Sequence, residues 1–284
     1  MSTPTATPVK TPTEAYTADN RDITKALPPT ADFRISYGPH ALHYGDLRLP
    51  PGPGPHPVVV FVHGGRWRAE YDLQHVSAAC AAFTARGVAT WNIEFRRVGH
   101  IGGGWPGTLL DVGQATDFVR ELALNYNLDL NNVVISGHSS GGHLAQWLGA
   151  RHRIPAGDPL YVANPLKPKA VVALAGVGDL RRTWARNPEG VEEFLGGSPE
   201  QYPERAATSA ACEMLPVGVP FTLVNGMEDA LPYSMAEEYA ERARAAGDDV
   251  QVILIPGAGH FWLVDPNSPG WPQVEDAVIA AVRR

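Results

Sequence analysis

Three short stretches of the 284-residue chain carry side chains able to do acyl chemistry together. The first is Gly137-His138-Ser139-Ser140-Gly141, which follows the β-forming run Val133–Ser136 and precedes an Ala/Leu-rich run. A glycine on each side of a central serine lets a strand turn sharply into a helix, with the serine hydroxyl held out of the turn. Centring the pattern on Ser140 would need glycine at 138 and 142, and position 138 is histidine. Ser139 is therefore the candidate nucleophile. Ser140 is a candidate oxyanion donor through its backbone N–H. The second stretch is His63-Gly64-Gly65-Arg66-Trp67, directly after the apolar run Val58–Val62. Its two glycines can present backbone amides to the same oxyanion, and His63 is read as tying the loop down. The third region supplies an acid, Asp229, after the run Phe221–Asn225, and a base, His260, after the run Val250–Ile255. Glu228 is the neighbouring carboxylate. The two-residue spacer after Gly226 favours Asp229, whose short side chain suits a loop swinging back under the sheet. A serine activated by a histidine, itself oriented by a carboxylate, attacks an acyl carbon and releases its leaving group through a tetrahedral oxyanion.

Such groups work only if a rigid frame brings them together. Phe33–Tyr37 and Ala41–Leu49 read as an antiparallel strand pair around Gly38-Pro39. Strands follow at 58–62, 88–95, 132–136, 170–175, 221–225 and 250–255. Helical runs lie at 74–86, 108–125, 141–152, 233–246 and 271–282. Strands alternating with helices imply an α/β fold, a mostly parallel sheet covered by helices on both faces, with the antiparallel pair at one edge. Residues 178–211 break the rhythm with charge, Pro, Gly and short helical pieces, and are read as a short cap. Residues 1–28, rich in Thr and Pro, read as a flexible N-terminal arm, and 29–284 as one domain. Ligands of such sheets bind beyond the C-terminal strand ends, where all three stretches fall. Trp67, Trp105, Phe261 and Trp262, with Trp184, are expected there as walls of an apolar substrate pocket. Arg66 could hold a substrate carboxylate, whereas Arg96 and Arg97 are read as structural partners of Asp111 and Glu94.

Composition narrows the partners. A formal net charge of -7 argues against nucleic acid or an anionic membrane surface. No apolar run is long enough to span a bilayer, and the N-terminus lacks the core of a signal peptide, so a cytoplasmic protein is expected. No metal-ligand spacing such as H-E-x-x-H occurs, and no cofactor or metal is expected. The two cysteines, Cys80 and Cys212, are read as buried free thiols. The expected partner is a small-molecule acyl substrate. A homodimer is compatible with the sequence.

With these motifs in place, the chain resembles the serine α/β-hydrolase superfamily from about Phe33 to Arg284. His63-Gly64-Gly65-Arg66-Trp67 is similar to the HGGxW oxyanion motif of arylformamidases and of hormone-sensitive-lipase-like carboxylesterases. The runs Glu94–Gly99, Gly102–Pro106 and Phe194–Pro199 resemble loops of bacterial α/β hydrolases. The resemblance implies the α/β-hydrolase fold and a serine hydrolase that cleaves a small carboxylic ester through an acyl-enzyme. The alternatives are an arylformamidase-type amide hydrolase, a biosynthetic acyltransferase or cyclase, a peptidase, and a non-catalytic receptor of the same fold.

Overall fold

The computed structural model describes residues 21–284. Its centre is one eight-stranded sheet in the order β1-β2-β4-β3-β5-β6-β7-β8. The strands are Phe33–Ser36 (β1), Tyr44–Arg48 (β2), His56–Val62 (β3), Ala89–Ile93 (β4), Leu128–His138 (β5), Ala170–Leu174 (β6), Phe221–Gly226 (β7) and Val250–Ile255 (β8). β1 and β2 pair antiparallel, as does β2 with β4, and every other neighbouring pair is parallel. This is the mostly parallel sheet expected, with its antiparallel strands at one edge.

The apolar run in β3 shows no alternation because both its faces are buried. Val58, Val60 and Val62 face a core with Trp91, Ile135, Leu144 and Trp147, while Val59 and Phe61 face a second core with Phe83, Val134, Val172 and Trp271. Helix α1 (Ser77–Ala85) contributes to the second core, as does the C-terminal helix over residues 271–283. The other face is covered by α2 (Gly107–Asp117), α3 (Val119–Tyr126) and α4 (Ser140–Ala150). Every residue of α4 is buried, because the cap closes over the side that the sheet does not cover.

Several elements differ from the sequence reading. The helix expected over 108–125 breaks at Phe118, whose amide bonds back to the Gln114 carbonyl while a new helix begins beside it. β5 runs several residues further at each end than 132–136. The cap holds three helices, α5 (Leu180–Arg186), α6 (Pro188–Leu195) and α7 (Pro203–Ser209), of which the third was not anticipated. Two of the three start on a proline, whose missing N–H costs nothing at a helix start. The remaining helices are α8 (Ser234–Ala245) and α9 (Trp271–Arg283). Most of the expected N-terminal arm lies outside the described residues. Of the part within them, Ile23 packs against the second core, and just beyond the arm the Pro29 carbonyl accepts from Arg48 Nη2 at 2.7 Å. Cys80 and Cys212 are both buried and free. No described helix is long and apolar enough to cross a membrane.

Trp91 is fully buried in β4, with its indole N–H donating to the Ala115 carbonyl at 2.9 Å, and so joins the sheet to α2. Replacing it with alanine should cost about 3–5 kcal/mol in chemical denaturation. Leu124→Ala, on the exposed side of α3, should stay within about 0.5 kcal/mol of wild type.

Candidate active site

The turn between β5 and α4 places Ser139 at φ 58°, ψ −122°, a left-handed conformation that a non-glycine residue adopts only under constraint. The constraint comes from both sides. The Ser139 amide donates to the Leu174 carbonyl at 2.8 Å, and its carbonyl accepts from His143 N at 3.1 Å. The flanking glycines are required by contact distance. A Cβ on Gly137 would lie 2.2 Å from the Gly141 carbonyl oxygen, and one on Gly141 would lie 2.1 Å from that of Val62. Gly142, outside the pentapeptide, is equally constrained: its Cβ would sit 2.7 Å from Gly176 Cα.

The His63–Trp67 loop runs directly against this turn. A Cβ on Gly64 would reach within 3.0 Å of Ser139 Cβ and 2.6 Å of the His138 carbonyl oxygen. Neither the Gly64 nor the Gly65 amide has a protein acceptor among the described residues. Ser140 is the first residue of α4, so its amide lacks an intrahelical acceptor as well. Gly64 thus packs directly on the Ser139 turn, with Gly65 next along its loop and Ser140 at the start of α4. Ser140 has a second task, since its Oγ accepts from Trp67 N at 3.2 Å.

The acid and base loops are packed against each other. Gly226 approaches the 258 backbone so closely that a Cβ would lie 2.2 Å from the Ala258 carbonyl oxygen, and that same carbonyl accepts from Glu228 N at 2.9 Å. This brings Asp229 under His260, with Asp229 Oδ2 2.7 Å from His260 Nδ1. The other oxygen, Oδ1, accepts from Leu231 N at 2.8 Å. The Asp229 side chain is 1% exposed and that of His260 20%, while Glu228 points to solvent. The His260 carbonyl is held in turn by His138 Nε2, which donates at 3.0 Å, and the two rings lie 4.5 Å apart.

The expected aromatic pocket is corrected. Of its members, Phe261 does lie beside the site, 5.4 Å from the His260 ring. Trp262 is 3% exposed and belongs to the second core, because its backbone lies in a 3-10 turn (His260–Val264) that rotates it about a third of a circle from Phe261. Trp67 turns inward, 6% exposed, stacking on Phe194 with ring centres 5.0 Å apart. Trp105 packs against the first core beneath the Arg205 guanidinium, 4.4 Å from its ring centre. Trp184 donates its indole N–H to Glu192 within the cap. A cleft of about 40 Å³ opens between the loop and the cap, bordered by Arg66, Trp67, Thr183, Asn187 and Val191. Arg66 is exposed there, whereas Arg96 grips both oxygens of Asp111 (2.8 and 2.6 Å) and Arg97 pairs with Glu94 (2.8 Å), the structural roles expected of them.

Residues with no obvious motif hold the loop. The buried Glu94 carboxylate meets His63 Nε2 at 3.2 Å and Arg97, and also accepts from Phe95 N (2.8 Å) and Leu73 N (3.3 Å). His63 Nδ1 faces the Gly64 carbonyl at 2.8 Å. Burial opposes the Glu94 charge, but His63, Arg97 and the Phe95 amide outweigh it and hold the carboxyl below its ordinary value of 4.5. His75, His138 and His143 are buried too. Desolvation lowers His75 to about 3 and His143 to about 4, and His138 falls well below 6.5. The two histidines flanking Ser139, at 138 and 143, were the visible sign of this support, but nothing in their spacing distinguishes a packed ring from a solvated one.

These shifts share a sign. An unfolded histidine takes up a proton near pH 6.5, whereas the three buried rings resist it well below that, His143 to about 4 and His75 to about 3. Stability they permit is therefore complete above about pH 6.5 and drains as pH falls toward 4. The depressed Glu94 carboxyl contributes stability above its unfolded value and loses it as pH falls through its lower folded one. The melting temperature should hold between pH 8 and 7 and decline steadily from 6.5 to 4. A maximum near pH 5 would contradict the assignment.

Comparison with known proteins follows the geometry. The family model BD-FAE matches residues 46–242. The chain is 29% identical to Esterase LipC of Mycobacterium tuberculosis, over 76% of this chain and 56% of that protein. It is 24% identical to isoprenylcysteine alpha-carbonyl methylesterase ICME of Arabidopsis thaliana, over 87% of this chain and 61% of that one. It thus spans a little over half the length of these relatives. A solved truncated carbohydrate esterase from gut microbiota superimposes with a TM-score of 0.75 at 22% identity, covering 94% of this chain and 100% of the other. That likeness shows the fold to be that of the α/β hydrolases. Because the family model takes in well over half of the chain, including the oxyanion loop and the Ser139 turn, the chain belongs to the BD-FAE family of α/β-hydrolases.

Proposed function

We propose that the chain is a serine hydrolase that cleaves a small carboxylic ester through an acyl-enzyme. The observation that carries this reading is the Asp229–His260 pair at 2.7 Å, tied through His138 (3.0 Å) to the residue next to a strained Ser139, all after the C-terminal ends of parallel strands. In this reading Ser139 Oγ attacks the acyl carbon as its proton passes to His260 Nε2. Asp229 accepts from Nδ1–H, fixes the tautomer and stabilises the imidazolium. The amides of Gly64, Gly65 and Ser140 receive the oxyanion, and loss of one such donor costs about 3–4 kcal/mol of barrier. The intermediate collapses as His260 protonates the departing alkoxide, and water, activated by the same histidine, then releases the acid. The ester preference is supported by relatives named as an esterase and a methylesterase.

A panel containing p-nitrophenyl acetate and N-formylkynurenine tests the bond cleaved. Turnover of the first should dominate, and the reverse order would make the chain an amide hydrolase. Ser139→Ala should abolish labelling by a fluorophosphonate probe without loss of the cooperative melt, and surviving label would sink the nucleophile assignment. Asp229→Asn should lower kcat by about 10⁴, whereas Glu228→Gln, altering an exposed carboxylate, should change it by less than about twofold. The opposite pattern would exchange the two acids.

A further inference from the structure

We propose that His143 is a positioning residue that sets the oxyanion loop through Trp67 and makes that setting depend on the cap. The inference rests on the serine-hydrolase reading above and assigns a role to a buried ring that the triad does not use.

The loop needs an external hold. After Gly65 at φ 121° come Arg66 at φ 56° and Trp67 at φ 58°, two consecutive non-glycine residues in left-handed geometry. Such backbone persists only where its surroundings over-determine it. Arg66 is exposed, so the hold falls on Trp67. Its amide donates to Ser140 Oγ at 3.2 Å and its carbonyl accepts from Val98 N at 2.8 Å. Its indole Nε1–H donates to His143 Nδ1 at 3.2 Å.

Hydrogen-bond chemistry then settles the histidine's state. An indole N–H only donates, so Nδ1 must be the acceptor and the proton sits on Nε2. Nε2 donates to the Ser209 carbonyl at 2.7 Å, at the end of the cap helix α7. Burial keeps the ring neutral, its pKa lowered to about 4, so this one tautomer persists across the neutral range. The same cap reaches Trp67 directly. Phe194 of α6 stacks on the indole and meets His143 edge-on, 5.6 Å between centres. The Phe194 carbonyl accepts from Trp105 N at 2.7 Å. His143 therefore stands between the cap and the loop with one nitrogen on each. It also lies one helical turn from Ser139, whose carbonyl accepts its amide. A shift of Ser209 is transmitted through one rigid ring to the indole, and from there to the Gly64 and Gly65 amides.

The amides act on the oxyanion, so misplacing them should lower kcat more than it raises KM. His143→Leu removes both hydrogen bonds. His143→Gln offers a carbonyl and an NH₂ at similar separation and can replace them. Trp67→Phe keeps the stacking and deletes only the indole donor. With p-nitrophenyl acetate, His143→Leu and Trp67→Phe should each lower kcat by about tenfold or more, with KM moving less than about threefold. His143→Gln should recover most of the loss, and the Leu/Phe double variant should be no slower than the worse single one. Thermal melts on the same samples establish folding. If His143→Leu does not fold, Trp67→Phe against wild type carries the test. Folded variants with wild-type kcat, or a kcat loss no greater than the unfolded fraction, would overturn the proposal while the fluorophosphonate label still confirms the enzyme class. A wild-type chain that neither labels nor turns over an ester would overturn the serine-hydrolase reading, and this inference with it.

Discussion

The site depends on one constraint, the direct backbone contact between the end of β3 and the turn after β5. Val62 and His63 carbonyls lie where a Cβ of Gly141 would stand, the His138 carbonyl where a Cβ of Gly64 would, and the Gly141 carbonyl where a Cβ of Gly137 would. Two chain segments can approach this closely only if neither carries a side chain at the contact. The consequence is chemical. Because β3 and β5 are adjacent and parallel, their following loops emerge at the same end, and the missing side chains let the Gly64 backbone lie directly on the Ser139 turn. The strain at Ser139, of order 1–3 kcal/mol, is sustained by the Leu174 carbonyl and the first turn of α4.

Around this contact the charges are few, buried and mutually dependent. Glu94 is fully buried, and its carboxylate has four donors or cations around it, from His63, Arg97, Phe95 and Leu73. A buried ion pair of this kind is weak evidence for net stability, since desolvation offsets much of the attraction. Its effect is geometric. Glu94 directly follows β4, His63 begins the 63–67 loop and Leu73 ends that loop's return, so one carboxylate fixes both feet of the segment that carries Gly64 and Gly65. His63 does most to hold the carboxyl ionised, and Arg97, a little beyond β4, adds to it. The burial of Arg97 is the cost of that arrangement, and lowers its pKa.

What could be read from the sequence and what could not divide along physical lines. The strands and the Ser139 turn were legible because they are local: an apolar run, a glycine pair, a period. Asp229 and His260 were legible because each follows its own strand, and their register places them side by side. The helix break at Phe118 was not legible, because the apolar period continues through α2 and α3 and only the tertiary fit decides where the axis bends. Trp262 was misplaced for a related reason. Its position after a strand end suggested the pocket, but a 3-10 turn rotates successive side chains by about a third of a circle, so Trp262 is buried inside the second core while Phe261 stays half-buried at its edge. The roles of His138 and His143 depend on which carbonyls lie opposite them, from residues far along the chain, and no local pattern carries that information.

The cap is bound to the hydrolase body by two kinds of contact, and their sizes decide which matters. Arg68 grips Glu193 through two bonds and also reaches Glu189, Arg242 meets Asp179, and Arg182 meets Glu238. These pairs are partly or wholly solvent-exposed, and such contacts contribute about 0–1 kcal/mol each. Against them stand Val191, Phe194 and Leu195, all fully buried, with Trp67 stacked beneath. Each side chain of that size contributes about 1.5–3 kcal/mol by leaving water. Apolar burial therefore holds the cap, and the ion pairs set its orientation. A cap held this way moves only by exposing its core, so displacing it costs more than breaking its ion pairs. The loop that shares its apolar face is fixed with it, which is the condition under which pre-placed amides are most effective on a developing oxyanion.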